Sequence, residues 1–249
     1  MNPFNRILTI LVVALSGLGA SYAQDGVPQD ILNRTLFIKT DTREGTAFAI
    51  DRNGKVYLVT ARHMVEGLPT ENPSIKIRKG NDWQDFHPLK ILFPENPDVD
   101  IAVFTTDQKA EKPYYIGLAG DHGGVTLGQQ VWFLGYPFIE GLGTLTPSFQ
   151  APFIKRGTMS AIVGTRKDAV MFYIDGFNNE GFSGGPILYW DFTDHVYRIL
   201  GVVQGYKFDQ AHVEVNGKPV PTPILTNSGI LIAYSIQHAI DAIEKDAEK

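Results

Sequence analysis

Short apolar runs rich in β-branched residues recur along this chain, separated by glycine, proline and asparagine turns, with no helical segments between them. That pattern excludes a doubly wound sheet, whose parallel strands need helical crossovers, and points to an all-β barrel or sandwich. The runs fall at residues 35–39, 45–50, 55–60, 74–78, 87–92, 101–105, 125–134, 154–164, 170–174, 186–189 and 195–204. Asp51-Arg52-Asn53-Gly54 joins the second to the third as a hairpin turn, because Asn-Gly tolerates positive φ. One long helix is expected, close to the carboxy terminus. Ser235 is a suitable N-cap, and Ile236, Ala239, Ile240 and Ile243 share one face at helical spacing. That face packs on a barrel and leaves Asp241, Glu244 and Lys245 outward.

The amino terminus reads as a targeting segment. Residues 1–6 carry one positive charge, and residues 7–20 are apolar apart from Thr9 and Ser16. The apolar run is about 14 residues, short of the roughly 20 that span a bilayer. Ser21-Tyr22-Ala23 then supplies small residues at the positions a signal peptidase reads, so residues 1–23 are expected to be a cleaved signal peptide. Residues 24–249 form one domain, exported to the periplasm or secreted, with no stable membrane insertion after cleavage. Net charge is −5, and loss of the segment removes one base and no acid. An acidic chain argues against a nucleic-acid partner. There are no cysteines, which excludes a thiol nucleophile, a thiolate metal site and disulfides.

Three motifs carry chemistry. Thr60-Ala61-Arg62-His63 sets a histidine at the end of an apolar run. Asp98-Val99-Asp100-Ile101-Ala102-Val103 sets carboxylates at the mouth of another, and Gly181-Phe182-Ser183-Gly184-Gly185-Pro186 sets a serine in a glycine-rich turn. A serine hydroxyl is a poor nucleophile near neutral pH. It needs a base, and the base needs a partner that fixes its tautomer. His63 fits the base, Ser183 the nucleophile and Asp100 the partner. Asp98 lies two residues away on the same side of an extended chain. Asp100 is preferred because it directly precedes the buried run, whereas Asp98 follows Pro97 and suits a solvated turn. The glycines let the turn aim the backbone N–H groups of Gly181 and Ser183 at one point, an oxyanion hole.

Histidine, aspartate and serine in this chain order resemble the trypsin-like (chymotrypsin-fold) serine peptidases, in particular bacterial ones related to the HtrA protease domain. The matching stretches are residues 45–50, 60–63, 100–103, Gly128 with Gly135-Tyr136-Pro137, Arg156-Gly157-Thr158-Met159-Ser160, and 181–186. The resemblance implies two six-stranded antiparallel β-barrels with the catalytic residues in the cleft between them, and a carboxy-terminal helix. It also implies pocket walls from residues 177–182 and 203–206, with Phe177 at the pocket base, Glu180 at the rim, and Val203, Gln204 and Gly205 beside the bound peptide. An apolar Phe177 offers no carboxylate to a lysine or arginine side chain. Cleavage is therefore expected after uncharged, small or apolar residues.

Three departures stand out. Arg62 replaces a small residue before the histidine. Phe182 replaces the Asp or Asn usual before the serine, so no carboxylate is available to pair with a freed amino terminus, and no activating cleavage beyond signal removal is expected. No PDZ-type domain is expected after residue 204. His87, His122, His195, His212 and His238 lack metal-ligand spacing, and no cofactor or metal is expected. Trp83, Trp132 and Trp190 read as packing residues. Asn33-Arg34-Thr35 fits a glycosylation acceptor by pattern alone, and residues 141–144 read as a loop near the cleft. The reading is a serine endopeptidase acting on polypeptides through an acyl-enzyme. A non-catalytic peptide-binding module on the same fold and an esterase with the same triad stay open.

Overall fold

The computed structural model describes residues 26–110, 117–118, 124–137, 151–164, 169–215, 217–219 and 222–248. The expected signal peptide, His122 and residues 141–144 lie outside the described residues.

Helix α1 (Gln29–Arg34) leads into β1 (Thr35–Lys39), β2 (Glu44–Arg52), β3 (Lys55–Thr60), β4 (Ile75–Lys79), β5 (Asp82–Phe86), β6 (Lys90–Leu92) and β7 (Ala102–Lys109). These strands form one antiparallel sheet in the order β5-β4-β1-β2-β3-β7-β6. The second half holds β8 (Gly117–Leu118), β9 (Gln130–Gly135), β10 (Phe153–Val163), β11 (Met171–Asp175), β12 (Pro186–Asp191), β13 (Val196–Ala211) and β16 (Ile224–Ser235). Its sheet runs β12-β9-β10-β11-β16-β13-β8, and a further β12–β13 pairing closes six of these strands into a barrel. β8 joins β13 in parallel. β14 (Glu214–Val215) and β15 (Lys218–Pro219) make a small hairpin, and α2 (Gln237–Ala247) follows β16. The architecture is the chymotrypsin-like pair of antiparallel β units, one closed and one open, with a carboxy-terminal helix.

Side-chain alternation explains why the central strands of the first sheet read as unbroken apolar runs. Ala47, Leu58, Ala102 and Phe104 point into the core of the first sheet with Ile38, Met64 and Ile75. Their neighbours Phe48, Tyr57, Val59 and Val103 point the other way, into a cluster with Phe133, Phe172, Leu188 and Val203 of the second barrel. β2, β3 and β7 are thus buried on both faces, the condition that removes polar alternation. Each buried Val, Leu, Ile, Phe or Met among them contributes about 1.5–3 kcal/mol. The 51–54 hairpin has Asn53 at φ 51° and Gly54 at φ 74°, the pair of positive angles of a type I′ turn.

The structure differs from the sequence reading in several elements. Helix α1 and strands β5, β8, β14, β15 and β16 were not expected, and β13 runs to Ala211. Helix α2 starts at Gln237 after Ile236, although Ser235 Oγ still accepts the Gln237 N–H at 3.2 Å. Ala239, Ile240 and Ile243 are buried and Asp241 and Lys245 exposed as expected, and Glu244 and Lys245 also reach the first half of the chain. Glu244 pairs with Arg52 and Lys245 with Glu95, and Asp246 meets Lys90 at 2.6 Å. The helix straps the first sheet, with apolar burial as the main contribution, since exposed pairs give about 0–1 kcal/mol each. No helix among the described residues is long and apolar enough to cross a membrane.

Candidate active site

His63 stands on a short 3₁₀ turn, Arg62–Val65, directly after β3. The turn is anchored by buried Met64 and Val65, while the His63 side chain stays 28% exposed. Asp100 lies between Val99 and Ile101, both fully buried, just ahead of β7. Its carboxylate takes His63 at two points. Oδ1 accepts the backbone N–H of His63 at 2.8 Å, and Oδ2 lies 2.7 Å from Nδ1. A carboxylate at Nδ1 keeps the proton there and leaves Nε2 with a lone pair toward the cleft. Asp98 is exposed, and its backbone N–H bonds Asn96 Oδ1 at 2.9 Å; of the two aspartates, Asp100 is the one that touches His63. Arg62 turns away from the cleft. Its guanidinium packs 4.6 Å from the Phe93 ring and donates to the Pro97 carbonyl at 3.2 Å, tying the histidine turn to the aspartate loop.

Ser183 sits where two tight turns meet. Phe182 N–H donates to Asn179 O at 3.4 Å with Gly181 at φ 95°, and Gly185 N–H donates to Phe182 O at 2.8 Å with Gly184 at φ 83°. Positive φ at the third residue of an i→i+3 turn is the type II signature and requires glycine. Gly184 and Gly185 answer a second demand, close approach. A Cβ on Gly184 would lie 2.1 Å from the Thr46 carbonyl oxygen, and one on Gly185 would lie 2.0 Å from that of Leu134. The serine turn is therefore wedged between β2 and β9, against the residues that precede His63. Among the described residues, neither the Gly181 nor the Ser183 N–H has an acceptor. Two unclaimed donors beside one hydroxyl are unusual in a folded chain, where most backbone groups are paired. The Ser183 hydroxyl itself donates to the Gln204 carbonyl at 3.1 Å.

Thr46 joins the two halves, and the sequence reading assigned it no role. It is fully buried. Its N–H donates to Ser183 O at 2.9 Å, its hydroxyl donates to Gly181 O at 2.7 Å and accepts the Tyr136 N–H at 3.1 Å, and its carbonyl accepts from Thr60 Oγ1 at 2.7 Å. Thr46→Val keeps the shape and removes both hydroxyl bonds. Taking the hydroxyl donor from the buried Gly181 carbonyl is expected to lower unfolding stability by about 1–3 kcal/mol. A urea unfolding midpoint unchanged from wild type would show that this bridge contributes nothing.

The residue before the serine is also in the core. Phe182 is 0% exposed. Its ring meets Phe133 edge-on at 5.4 Å and lies over Gly135, where a Cβ would be 2.7 Å from it. The pocket residues are spread differently. Val203 is fully buried and exchanges backbone bonds with Gly184 and Gly185. Gln204 accepts from Ser183, and Gly205 has open space where a side chain would stand. Phe177 is 58% exposed and Glu180 is exposed too, so neither is enclosed in a closed cavity. Burial raises the Tyr234 phenol pKa, and the nearby Asp100 and Asp98 carboxylates add to it, which keeps a neutral phenol near the aspartate loop. Among the described residues no cluster of three or more His, Asp or Glu could hold a metal, and His238 Nε2 accepts the Val170 N–H at 3.1 Å.

No curated protein matches the chain. Solved structures do. Rv3671c from M. tuberculosis H37Rv, a serine-to-alanine mutant in its inactive form, aligns at TM-score 0.53 and 16% identity, covering 88% of this chain and 89% of that one. The HtrA-type protease AlgW with a tripeptide aligns at 0.54 and 18%, covering 86% of this chain and 60% of its own. The serine endoprotease from Yersinia pestis aligns at 0.53 and 18%, covering 88% and 67%. Likenesses at these identities establish the shared fold. The trypsin-like peptidase domain matches residues 45–193, a stretch that includes the histidine turn, the aspartate loop and the serine turn, and over more than half its length the chain belongs to that family.

Proposed function

We propose that this chain is an exported serine endopeptidase in which Ser183 attacks a peptide carbonyl, His63 acts as base and then acid, and Asp100 orients His63. The observation that carries this reading is the two-point grip of Asp100 on His63, set against a serine turn with two unclaimed N–H donors. Acylation starts with rotation of the Ser183 hydroxyl from the Gln204 carbonyl toward Nε2. Such hydrogen bonds often align only once substrate is present. His63 takes the hydroxyl proton as Oγ bonds to the carbonyl carbon. The resulting oxyanion lies against the N–H groups of Gly181 and Ser183, each worth about 3 kcal/mol in the transition state. The imidazolium returns the proton to the leaving amine, and an acyl-enzyme remains. Water, deprotonated by His63, then releases the acid and restores the serine. Export rests on residues 1–23, whose removal exposes Gln24.

The experiment is labelling of the protein starting at Gln24 with a fluorophosphonate, which reacts only with an activated serine. Absence of labelling would favour a peptide-binding module. Turnover of small esters without turnover of denatured protein would favour an esterase. Mapping the cleavage sites on a denatured protein mixture tests the pocket. Phe177 brings no carboxylate, and the Lys155 ammonium donates to the Phe177 carbonyl at 2.9 Å, so a cationic residue entering there meets like charge. Cleavage after small or apolar residues is the expected result, and a map dominated by arginine and lysine would refute it.

A further inference from the structure

We propose that Lys155 is a positioning residue whose ammonium holds the Asn179–Phe182 turn so that the Gly181 N–H is presented before substrate arrives. The proposal rests on the serine peptidase reading given above. Lys155 belongs to β10 and is half-buried. It lies opposite Phe133 of β9 in register, on the strand next to β9, one of the two strands between which the serine turn is wedged. Its Nζ donates to Phe177 O at 2.9 Å and to Asn179 Oδ1. The same nitrogen stands 5.3 Å from the centre of the Phe182 ring and 5.7 Å from that of Phe177. One cation thus grips the segment on both sides of the Glu180–Gly181 peptide, by Asn179 before it and by Phe182 after it. That peptide is the central unit of the turn, and its rotation is what distinguishes type II from type I. Rotation would carry the Gly181 N–H away from its present direction and remove one of the two donors.

The surroundings favour a holding role over a surface ion pair. The ammonium is met by a carbonyl, an amide oxygen and two ring faces. Phe133 is the neighbour from β9, and Glu180 on the turn is exposed. Among the described residues the partners of Lys155 Nζ are a carbonyl and an amide oxygen rather than a carboxylate. A cation over an aromatic face gains attraction as it loses water. The Phe182 ring is fixed from its other contacts by Phe133 and by the bare backbone of Gly135. Phe182 brings no carboxylate to this position, and Lys155 supplies a cation to its ring from within the chain.

Burial lowers the Lys155 pKa below that of an ordinary lysine. The charge is present at neutral pH and is lost as pH rises through the depressed value. In that window the unfolded chain binds more protons than the folded one, so deprotonation does not weaken the fold. An alkaline fall in turnover without a fall in melting temperature is the signature that a purely structural lysine would not give.

The test uses K155M and K155R in the full chain, with kcat and KM on a peptide amide, the fluorophosphonate labelling rate and the melting temperature. K155M is expected to lose about 10- to 100-fold in kcat with little change in KM, approaching the loss of one oxyanion donor. Its labelling rate falls in parallel, since the phosphonyl oxygen uses the same donors. K155R keeps most of the activity, and its alkaline limb moves to higher pH because a guanidinium stays charged. A K155M protein that labels and turns over like wild type overturns the proposal. So does an alkaline limb at the same pH in K155R as in wild type, a readout that stands even where K155M fails to fold. A wild-type protein that resists the probe overturns the peptidase reading, and the proposal falls with it. Labelling of wild type thus separates the two failures.

Discussion

Ser183→Ala is expected to lower kcat on a peptide substrate by on the order of 10⁶-fold and to abolish fluorophosphonate labelling, with the fold intact. The hydroxyl is the only part of the side chain lost. Among the described residues it makes one hydrogen bond, to the Gln204 carbonyl at 3.1 Å, and the side chain is partly open to solvent. Water can take over that bond, so the cost in stability stays near 1 kcal/mol or below. The bonds that hold the turn use main-chain atoms, Thr46 or Lys155: Thr46 to Ser183 O and Gly181 O, Gly184 N to Val203 O, Gly185 N to Phe182 O, and Lys155 Nζ to Phe177 O and Asn179 Oδ1. None depends on Oγ. A residual rate of roughly 10³–10⁴ over water is expected from the two N–H donors and substrate positioning alone. Measurement on protein freed of wild-type traces decides the matter. Peptidase activity near the wild-type level would remove Ser183 from the nucleophile role.

The strands visible in the sequence are those whose burial is simple. β2, β3 and β7 lie between two apolar cores and read as continuous runs, while the 51–54 hairpin announces itself through Asn53-Gly54. β5 was missed because Asp82-Trp83-Gln84-Asp85-Phe86 lies at the edge of its sheet and buries little. β16 was missed because Asn227-Ser228-Gly229 looks like a turn, and Gly229 does take φ 79° while the strand carries on past it. No residue in its first half is buried, so no alternation of buried and exposed positions marks it. The α2 boundary differs by a single residue: Ile236 flanks the helix with helical angles, and Ser235 Oγ accepts the Gln237 N–H as a capping serine does.

The candidate site divides along the same line. His63, Asp100 and Ser183 stand out because each needs an unusual residue type in an unusual local setting. Their supports do not. A threonine in β2 and a lysine in β10 have no local mark, and their roles arise only when β2 and β10 meet the serine turn across more than a hundred residues of sequence for Thr46 and more than twenty for Lys155. The glycines were legible in part. Turning explains Gly181 and Gly184, but Gly135 and Gly185 are required by what presses on them, the Phe182 ring and the Leu134 carbonyl.

Asp100→Asn is expected to lower turnover by about 10⁴-fold, whereas Asp98→Asn changes it by no more than about twofold. The contrast follows from the two contacts of the Asp100 carboxylate. Oδ1 accepts the backbone N–H of His63, so in the variant the amide oxygen must take that place; an amide NH₂ there would set donor against donor. The NH₂ group then faces Nδ1 of His63, where Oδ2 now lies at 2.7 Å. A donor at Nδ1 forces the ring into the tautomer with its proton on Nε2. That nitrogen cannot accept the Ser183 proton, and nucleophile activation is lost. Shape and volume hardly change, so the melting temperature should stay within a few degrees of wild type. The Asp98 side chain is exposed and does not reach His63, and its backbone N–H bond to Asn96 survives the substitution. Steady-state kinetics on the two variants side by side give the answer. A large loss at Asp98 with a small loss at Asp100 would mean that the orienting carboxylate has been misassigned.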